Sequence, residues 1–561
     1  MEQNEWKVRV WPIFATAAMI VIIAAAICWS LHHPFGTSWD ESIYLNEAQI
    51  DAQRLRHGML LRLAGRIIIK SFGRPPAYRI LALPVLGLIG FHTVTMRLIS
   101  LTCFALSAFL VYLAARRIAS SAGGGFAALI FCLSPLVIRA NMWFSTEGPL
   151  YLATAATLYY VIRLWYDKPR HWSNWVGLGT AVGVGLLAKA SFLAILVPLL
   201  VLWLVVERRR DLGIPSLAKE WKAGVLALLI AGPWWILNLK AAISTTEQAR
   251  GFVANSLGPP SPVTWLLWLW TVLQSLLGYG LTIVIALVVI AALRQVIVKK
   301  AIVLDSHRKL ILWLCACAGI PLVLAQLTGT NDLLRHISPA VIPLAIGVGT
   351  LADWSGWAKA LVAMAISGIL FCGQLAMIAA PIFSPNNRPV KSGMANGQYP
   401  WRVMALADQW DWTPIFEISR NCGVTSPKIS YLGSGAAFDP PQIERPWAAE
   451  AASTALATFP YPEVTWLWRY EEGPINWQEV MAAVDASDIV ITAPHYPGEI
   501  GDSISNLNNQ YNPEFTDRLL RDSHFRRPIQ LSMGRFDPVE VLVFVNVNLV
   551  CHSGDHASAI R

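Results

Sequence analysis

Long apolar runs without charged residues dominate the first two thirds of this 561-residue chain. A helix that crosses the hydrocarbon core of a bilayer needs about 20 mostly apolar residues. Charged residues make up only 14% of the chain, whereas a typical soluble domain has about 25%. The runs predict a polytopic α-helical membrane protein and exclude a cytosolic globular enzyme or a disordered chain. The eleven predicted spans are residues 10–31, 94–115, 118–138, 147–165, 172–188, 190–206, 222–239, 263–293, 309–328, 336–352 and 359–381.

Basic residues at the ends of these runs predict the orientation, because short loops rich in Lys and Arg stay in the cytoplasm. With the N-terminus in the cytoplasm, the basic loops after the second, fourth, sixth and eighth spans all lie on that side. Residues 1–381 carry a net charge of +16 and residues 382–561 a net charge of −7. We therefore expect a transmembrane domain, 1–381, in a bacterial inner membrane, followed by a periplasmic or extracellular domain, 382–561. The basic residues flank apolar runs and form no stripe, so no nucleic-acid partner is expected.

The loop between the first two spans, residues 32–79, is external in this orientation although it carries seven basic residues. Long loops escape the positive-inside bias. Its run QRLRHGMLLRLAGRIIIKSF (53–72) mixes basic and apolar residues at helical spacing. This pattern is typical of an amphipathic helix that lies in the membrane interface. Such a helix would either brace the domain on the membrane or face an anionic lipid head group.

Short apolar runs bounded by Gly, Pro and Asp predict strands in residues 382–561: KISYLG (428–433), DIVITAP (488–494) and VEVLVFVNV (539–547). Segments 402–420 and 511–522 have a helical pattern. The C-terminal domain is therefore expected to be α/β. Cys422 and Cys551 lie in it and could pair in an oxidising compartment, a pairing that the sequence leaves open.

Ionisable residues gather at the predicted outer ends of the spans. Asp40 and Glu41 follow the first span, at a depth where a charge is unfavourable and often functional. A carboxylate there could act as a general base, or both acids could simply complement the N-terminal end of a helix dipole. The same two interpretations apply to Glu147, at the start of the fourth span.

Cations are expected at the same membrane face. Each of them alone is more often a side chain that snorkels to the interface. Together with the acids they fit a lipid phosphate beside a catalytic base, because cations stabilise a phosphate leaving group. The residues at this face are Arg74, Lys189, Arg335 and His336. Between them, Gly177, Gly179, Gly183 and Gly185 have the spacing of a close helix contact.

The segment WDESIYLNEAQ (39–49) resembles the Asp-Glu motif in the first external loop of GT-C superfamily glycosyltransferases. The resemblance is strongest to bacterial protein-mannosyltransferase-like enzymes and to the aminoarabinose transferases of lipid A. It extends over residues 10–380. Further matching strings are GRPPAYRILALP (73–84), MRLISL (96–101), FSTEGPLYLATAATLYY (144–160), GLLAKASFLAILVPLL (185–200), GPWWILN (232–238) and LLRHISPAVIPLAIGVG (333–349).

The resemblance implies transfer of a sugar, usually with inversion, from a polyprenyl-phosphate donor to a protein, lipid or glycan acceptor. The transfer would take place at the outer face of the membrane that the chain spans. The resemblance also implies that Asp40 is the catalytic base, that Glu41 and Glu147 belong to the catalytic site and that Tyr44 shapes it. Donor phosphate binding would fall to the cations, here Arg74, Lys189, Arg335 and His336.

Three positions depart from the family pattern. Glu147 replaces an Asp, Arg74 replaces a Lys before Pro-Pro, and His336 replaces a Tyr. No nucleotide-sugar site and no cofactor are expected, and the sequence offers no motif in support of a divalent metal. The competing interpretations are a transporter or lipid flippase, whose charges should lie near the midplane of the membrane, and a non-catalytic scaffold.

Overall fold

The fold described here is that of a computed structural model of the chain. The structure describes residues 2–32, 39–69, 74–166, 171–209, 217–253, 261–299, 306–327, 334–355, 410–433, 438–453, 461–468, 474–496, 509–534 and 538–551. The proposed domain boundary at residue 381 and the predicted span 359–381 lie outside these ranges and stay predictions.

Helices form nearly all of the described N-terminal part. They are α1 Glu2–His32, α2 Trp39–Arg56, α3 Leu60–Ile69, α4 Ala77–Leu88, α5 Thr93–Ile118, α6 Ser121–Leu133, α7 Pro135–Met142, α8 Glu147–Tyr166, α9 Trp172–Ala188, α10 Leu193–Arg209, α11 Leu217–Val253, α12 Pro262–Leu276, α13 Gly278–Lys299, α14 Ser306–Leu327 and α15 Val341–Ser355. Short 3-10 turns at 190–192, 334–336 and 338–340 precede α10 and α15.

Three of the described helices contain a segment long and apolar enough to cross a membrane on length and composition alone: Trp11–Leu31, Thr93–Ile118 and Trp221–Ser244. A fourth span results if α6 and α7 count as one, although they are bent by 63° at Ser134. The region of the span predicted for 118–138 is therefore two helices joined at a sharp bend, and whether the pair crosses the membrane stays a prediction. The count of eleven spans stays a prediction.

The single long helix expected over residues 263–293 is also wrong, because the structure has α12 and α13 there. Gly278 adopts φ +69°, a left-handed conformation that glycine tolerates and that ends α12. The preceding helix begins at Pro262, and the Ser261 hydroxyl accepts a hydrogen bond of 3.1 Å from the Thr264 N–H. Both ends of α12 thus follow from local sequence signals.

The basic amphipathic segment after α1 is two helices rather than one. Gly58 has φ +66° and separates α2 from α3. In α3, Leu63 and Ile67 are buried, whereas Leu61 and Ile69 are exposed. A helix with exposed apolar and basic side chains suits a membrane interface, and the location of α3 there stays a prediction.

Small residues allow the helices of the N-terminal part to approach closely. A Cβ atom on Gly179 would lie 2.7 Å from the Ala223 carbonyl oxygen of α11, and one on Gly183 would lie 2.8 Å from Ile230 Cβ. The glycine pattern of α9 therefore marks a tight α9–α11 contact, as predicted. The buried core of this part centres on α6, in which every residue after Ser121 is buried.

The described C-terminal part contains a five-stranded mixed sheet with strand order β2-β1-β3-β5-β4. Strands β1 and β2 and strands β1 and β3 are parallel, whereas β3–β5 and β4–β5 are antiparallel. The predicted α/β class is thus observed. The strands are β1 Lys428–Tyr431, β2 Glu463–Trp466, β3 Ile489–Thr492, β4 Ile529–Met533 and β5 Val539–Val545.

Five described helices accompany the sheet: α16 Thr413–Asn421, α17 Pro440–Ile443, α18 Arg445–Ser453, α19 Trp477–Asp485 and α20 Asn512–Arg521. Of the helix expected over 402–420, residues 402–409 lie outside the described ranges, and residues 410–412 are not helical because α16 begins only at Thr413. Helix α20 confirms the expectation for 511–522. Cys422 and Cys551 form a disulfide that ties the end of α16 to the end of the described chain. Helices α17 and α18 also pack against α2 of the N-terminal part.

Candidate active site

The ionisable residues singled out in the sequence meet at helix ends. Asp40 lies in the first turn of α2 and Glu147 is the first residue of α8. Lys189 follows the last residue of α9 in an extended conformation. Arg335 and His336 occupy the 3-10 turn that leads towards α15, and Arg74 precedes the Pro-Pro pair before α4. The structure thereby brings together two acids and three cations that are up to 295 positions apart in sequence, with His336 next to Arg335 in the same turn.

Asp40 lies between two guanidinium groups. Arg335 donates a short hydrogen bond through Nη2 to Asp40 Oδ2. Arg74 Nη2 lies 3.7 Å from the other carboxylate oxygen. Burial alone would raise the pKa of Asp40, but the charges on Arg335 and Arg74 outweigh it and hold this pKa well below its usual range. Asp40 is therefore an ionised carboxylate, and 23% of its side chain remains exposed.

Glu147 and Lys189 form a second ion pair beside the first. The distance from Lys189 Nζ to Glu147 Oε1 is 2.7 Å, and the side chain of Glu147 is only 3% exposed. Arg335 Nε lies 4.0 Å from the same Glu147 oxygen and so links the two pairs. The cluster carries three positive and two negative charges, an excess of one positive charge that suits an anionic ligand.

Glu41 points elsewhere. It accepts hydrogen bonds from Arg97 Nε at 2.8 Å and Arg97 Nη2 at 3.0 Å, and both side chains are fully buried. The Phe144 N–H donates a further bond of 3.0 Å to the same carboxylate. Arg97 in turn stacks over the Trp29 ring at 4.7 Å. These contacts join α2 to α1, α5 and the segment before α8, so the geometry favours a structural role for Glu41 over the catalytic one expected from the sequence.

Tyr44 lies one helical turn after Asp40 on the same side of α2. The Arg74 guanidinium lies 5.6 Å from its ring centre, and the Tyr78 ring centre is 4.5 Å away. Burial, followed by the charge on Asp40, raises the pKa of Tyr44 well above its usual range, so the phenol stays neutral. Tyr44 thus forms one wall of the cluster and holds Arg74 beside Asp40.

Two further polar pairs continue along α2 and were missed in the sequence. Tyr78 donates a short hydrogen bond to Glu47. Arg79 forms a two-pronged ion pair with Asp51, at 2.8 and 2.7 Å, in which both side chains are fully buried. The available signal was spacing, because positions 40, 44, 47 and 51 share one side of a helix and all are polar. Together these pairs fix the segment 74–79, which carries Arg74, against α2.

Potential metal ligands also gather in the C-terminal part. The side chains of Asp485, Asp522 and His524 offer ligand atoms within 4.8 Å of one another. Asp485 and His524 are exposed, and His524 Nδ1 lies 2.8 Å from Asp522 Oδ1. Exposed groups of this kind are common, and nothing else in the described residues points to an ion there.

Comparison with known proteins identifies the fold. Residues 73–237 match the family of dolichyl-phosphate-mannose-protein mannosyltransferases. The crystal structure of ArnT from Cupriavidus metallidurans in the apo state superposes with a TM-score of 0.55 at 14% identity, covering 94% of this chain and 98% of that one. The chain has the GT-C fold. The resemblance drawn from its motifs is thereby confirmed.

Two further relatives are informative. ArnT from the same organism bound to undecaprenyl phosphate superposes with a TM-score of 0.53 at 13% identity, over 95% of this chain and 98% of that one. An undecaprenyl phosphate-alpha-4-amino-4-deoxy-L-arabinose arabinosyl transferase of Pseudomonas fluorescens is 28% identical over 332 residues. That match spans 56% of this chain and only about half the length of the curated relative.

Proposed function

We propose that this chain is an inverting glycosyltransferase that moves a sugar from a polyprenyl-phosphate donor to a hydroxyl or amine of an acceptor. The observation that carries the proposal is the Asp40 carboxylate, ionised and partly exposed, set among Arg74, Arg335 and the Glu147–Lys189 pair. The likeness to an ArnT bound to undecaprenyl phosphate, to an undecaprenyl phosphate-aminoarabinose transferase and to the dolichyl-phosphate-mannose-protein mannosyltransferase family supports this class of donor.

The proposed reaction needs one base and a stabilised leaving group. Asp40 accepts the proton of the acceptor group while the acceptor atom attacks the anomeric carbon of the sugar. The bond from that carbon to the phosphate oxygen breaks, and its electron pair stays on the polyprenyl phosphate. Arg74, Lys189 and Arg335 stabilise the second negative charge that develops on this phosphate.

Binding of a donor phosphate would change the ion pairs of the cluster. A phosphate that binds Arg335 and Arg74 draws these guanidinium groups away from Asp40. The pKa of Asp40 then rises from its depressed value towards the ordinary range, because fewer positive charges remain at the carboxylate. Donor binding thus makes Asp40 a stronger base at the moment when one is needed.

Localisation follows from the same proposal. The C-terminal domain contains a disulfide, which favours an oxidising compartment outside the cytoplasm. Because α17 and α18 pack on α2, the Asp40 cluster would face that compartment too. We therefore place the reaction at the outer face of a bacterial inner membrane, with the N-terminus in the cytoplasm. A transporter would instead need ionisable groups near the midplane of the membrane, whereas the sequence predicts these residues at the outer ends of the spans.

The test is sugar release from a panel of polyprenyl-phosphate pentoses and hexoses by the purified full-length chain in nanodiscs. Wild-type protein should release at least one sugar in the presence of acceptor lipids or peptides, and Asp40→Asn should lower the rate by at least about a hundredfold. Asp517→Asn, the same change at an exposed tail position, is the matched control. No release from any donor by folded wild-type protein would contradict the proposed activity, and equal release by Asp40→Asn would contradict the base.

A further inference from the structure

The C-terminal domain reaches the helix that carries Asp40 through one short element. Asn46 of α2 donates a hydrogen bond of 2.9 Å from Nδ2 to the Pro441 carbonyl oxygen. Gln442 donates one of 2.8 Å from Nε2 to the Ser42 hydroxyl. All four residues are buried, although the bonded positions are 395 and 400 residues apart in sequence.

The α17 side of this contact has a rigid local structure. Asp439 caps α17, since its carboxylate oxygen accepts a bond of 2.9 Å from the Gln442 N–H. Pro440 and Pro441 fix the first turn of α17, because proline has one allowed φ. The Gln442 side chain is therefore presented to α2 from a rigid turn, and α18 packs against the same helix directly after it.

The contact lies on the back of the catalytic face of α2. Ser42 and Asn46 are four residues apart and share one side of the helix, as Asp40 and Tyr44 do. Two residues of offset rotate a side chain by about 200° around the axis, so the two pairs face opposite ways. The Glu41–Arg97 pair fixes α2 from a third side. The first two turns of α2 are thus held from two directions while Asp40 faces the cluster.

We propose that α17 is a positioning element of the active site, in which Gln442 and the Pro441 carbonyl set the axial position and rotation of α2 and hence the reach of Asp40. The inference rests on the proposed function, and it assigns the C-terminal domain a part in catalysis. A general base acts only within hydrogen-bond distance of the proton that it accepts, so a small displacement of α2 lowers turnover. Lys189 and Arg335 lie on other elements, so donor binding should persist.

The experiment compares kcat and donor KM of full-length Ser42→Ala, Gln442→Ala and the double variant in nanodiscs. We expect kcat to fall about tenfold in each single variant, with donor KM within about twofold of wild type. The double variant should be no worse than the worse single variant, because both remove the same hydrogen bond. Ser42→Thr keeps the hydroxyl and should retain most of the turnover. Gln478→Ala, an exposed glutamine in α19, is the matched control.

Three results overturn the inference: unchanged kcat in Ser42→Ala and Gln442→Ala, equal losses in Ser42→Ala and Ser42→Thr, or additive losses in the double variant. Ser42→Ala removes a single hydroxyl from a helix and keeps the test valid if Gln442→Ala fails to fold. Wild-type protein that transfers no sugar would contradict the proposed function instead, and it is recognised before any variant is compared.

Discussion

In the proposed reaction, Asp40 and a donor phosphate compete for the guanidinium groups of Arg74 and Arg335. Replacing Asp40 by Asn removes the negative charge that Arg335 and Arg74 neutralise in the unliganded site. We expect Asp40→Asn to bind a short-chain polyprenyl phosphate about tenfold more tightly than wild type while losing turnover, because the phosphate no longer displaces a carboxylate. Direct titration in detergent at fixed ionic strength measures the affinity.

Arg335→Gln is the counterpart in that titration and should weaken binding, since it removes a cation from the cluster. Equal or weaker binding by Asp40→Asn would show that the Asp40–Arg335 pair stays intact when phosphate binds.

Substitution of Glu41, the acid next to Asp40, should lower stability rather than remove a catalytic group. Glu41→Gln keeps an oxygen for the Phe144 N–H but leaves Arg97 buried beside a neutral group. Breaking a buried ion pair from one side costs about 3–5 kcal/mol, whereas replacing both partners is often close to neutral. Glu41→Gln should therefore lower the melting temperature sharply, and Glu41→Gln with Arg97→Met should recover much of that loss.

Transfer activity of the folded double variant decides the role of Glu41. Activity within a few fold of wild type agrees with a structural ion pair. Loss of turnover in a double variant as stable as wild type would return Glu41 to the catalytic site.

Between elements, the contact of α9 with α11 is one of the close approaches in the bundle. A Cβ on Gly179 would meet the Ala223 carbonyl oxygen at 2.7 Å, and this backbone atom has no flexible end that could move aside. We expect Gly179→Ala to destabilise the protein by about 1–3 kcal/mol, because overpacking forces the two helices apart. Thermal unfolding in detergent, followed by the near-ultraviolet signal, measures the change.

Gly224→Ala is the control for that substitution. Gly224 lies in α11, and a Cβ there meets nothing within 4 Å. The same chemical change should be neutral or stabilise the helix by up to about 1 kcal/mol, since alanine is the better helix former. Equal melting temperatures for Gly179→Ala and Gly224→Ala would mean that α9 and α11 tolerate a wider separation.

At the scale of the whole molecule, the sequence predicted those features that repeat or carry a strong local signal. The Lys and Arg residues at the ends of the apolar runs predicted that Asp40, Lys189 and Arg335 lie at one face of the membrane, because a single orientation rule acts on every loop. The direction of Glu41 could not be predicted in this way. Adjacent helical residues differ by about 100°, and only the distant Arg97 decides which one faces the core.

Other features of the structure could not be predicted from the sequence for similar reasons. The Asp51–Arg79 pair joins two helices across 28 residues, and no local pattern announces it. Strand β2 has alternating exposure and lies at the edge of its sheet, so its sequence EVTW lacks the apolar run by which β1, β3 and β5 were found. The break at Gly278 had a glycine signal, but the surrounding residues are apolar enough to hide it.

The disulfide provides a test of the orientation of the entire chain. Cys422 and Cys551 are 129 residues apart in sequence, and an oxidising compartment is needed to keep them joined. After denaturation without reductant, a maleimide-polyethylene glycol reagent should modify two fewer cysteines than after reduction, and the gel shift counts them. Cys422→Ser should abolish this difference and destabilise the C-terminal domain by about 2–5 kcal/mol. The contrary result is an equal number of modified cysteines before and after reduction in protein from intact bacteria. It would place the C-terminal part in a reducing compartment. The Asp40 cluster, which packs beneath α17 and α18, would then face the cytoplasm.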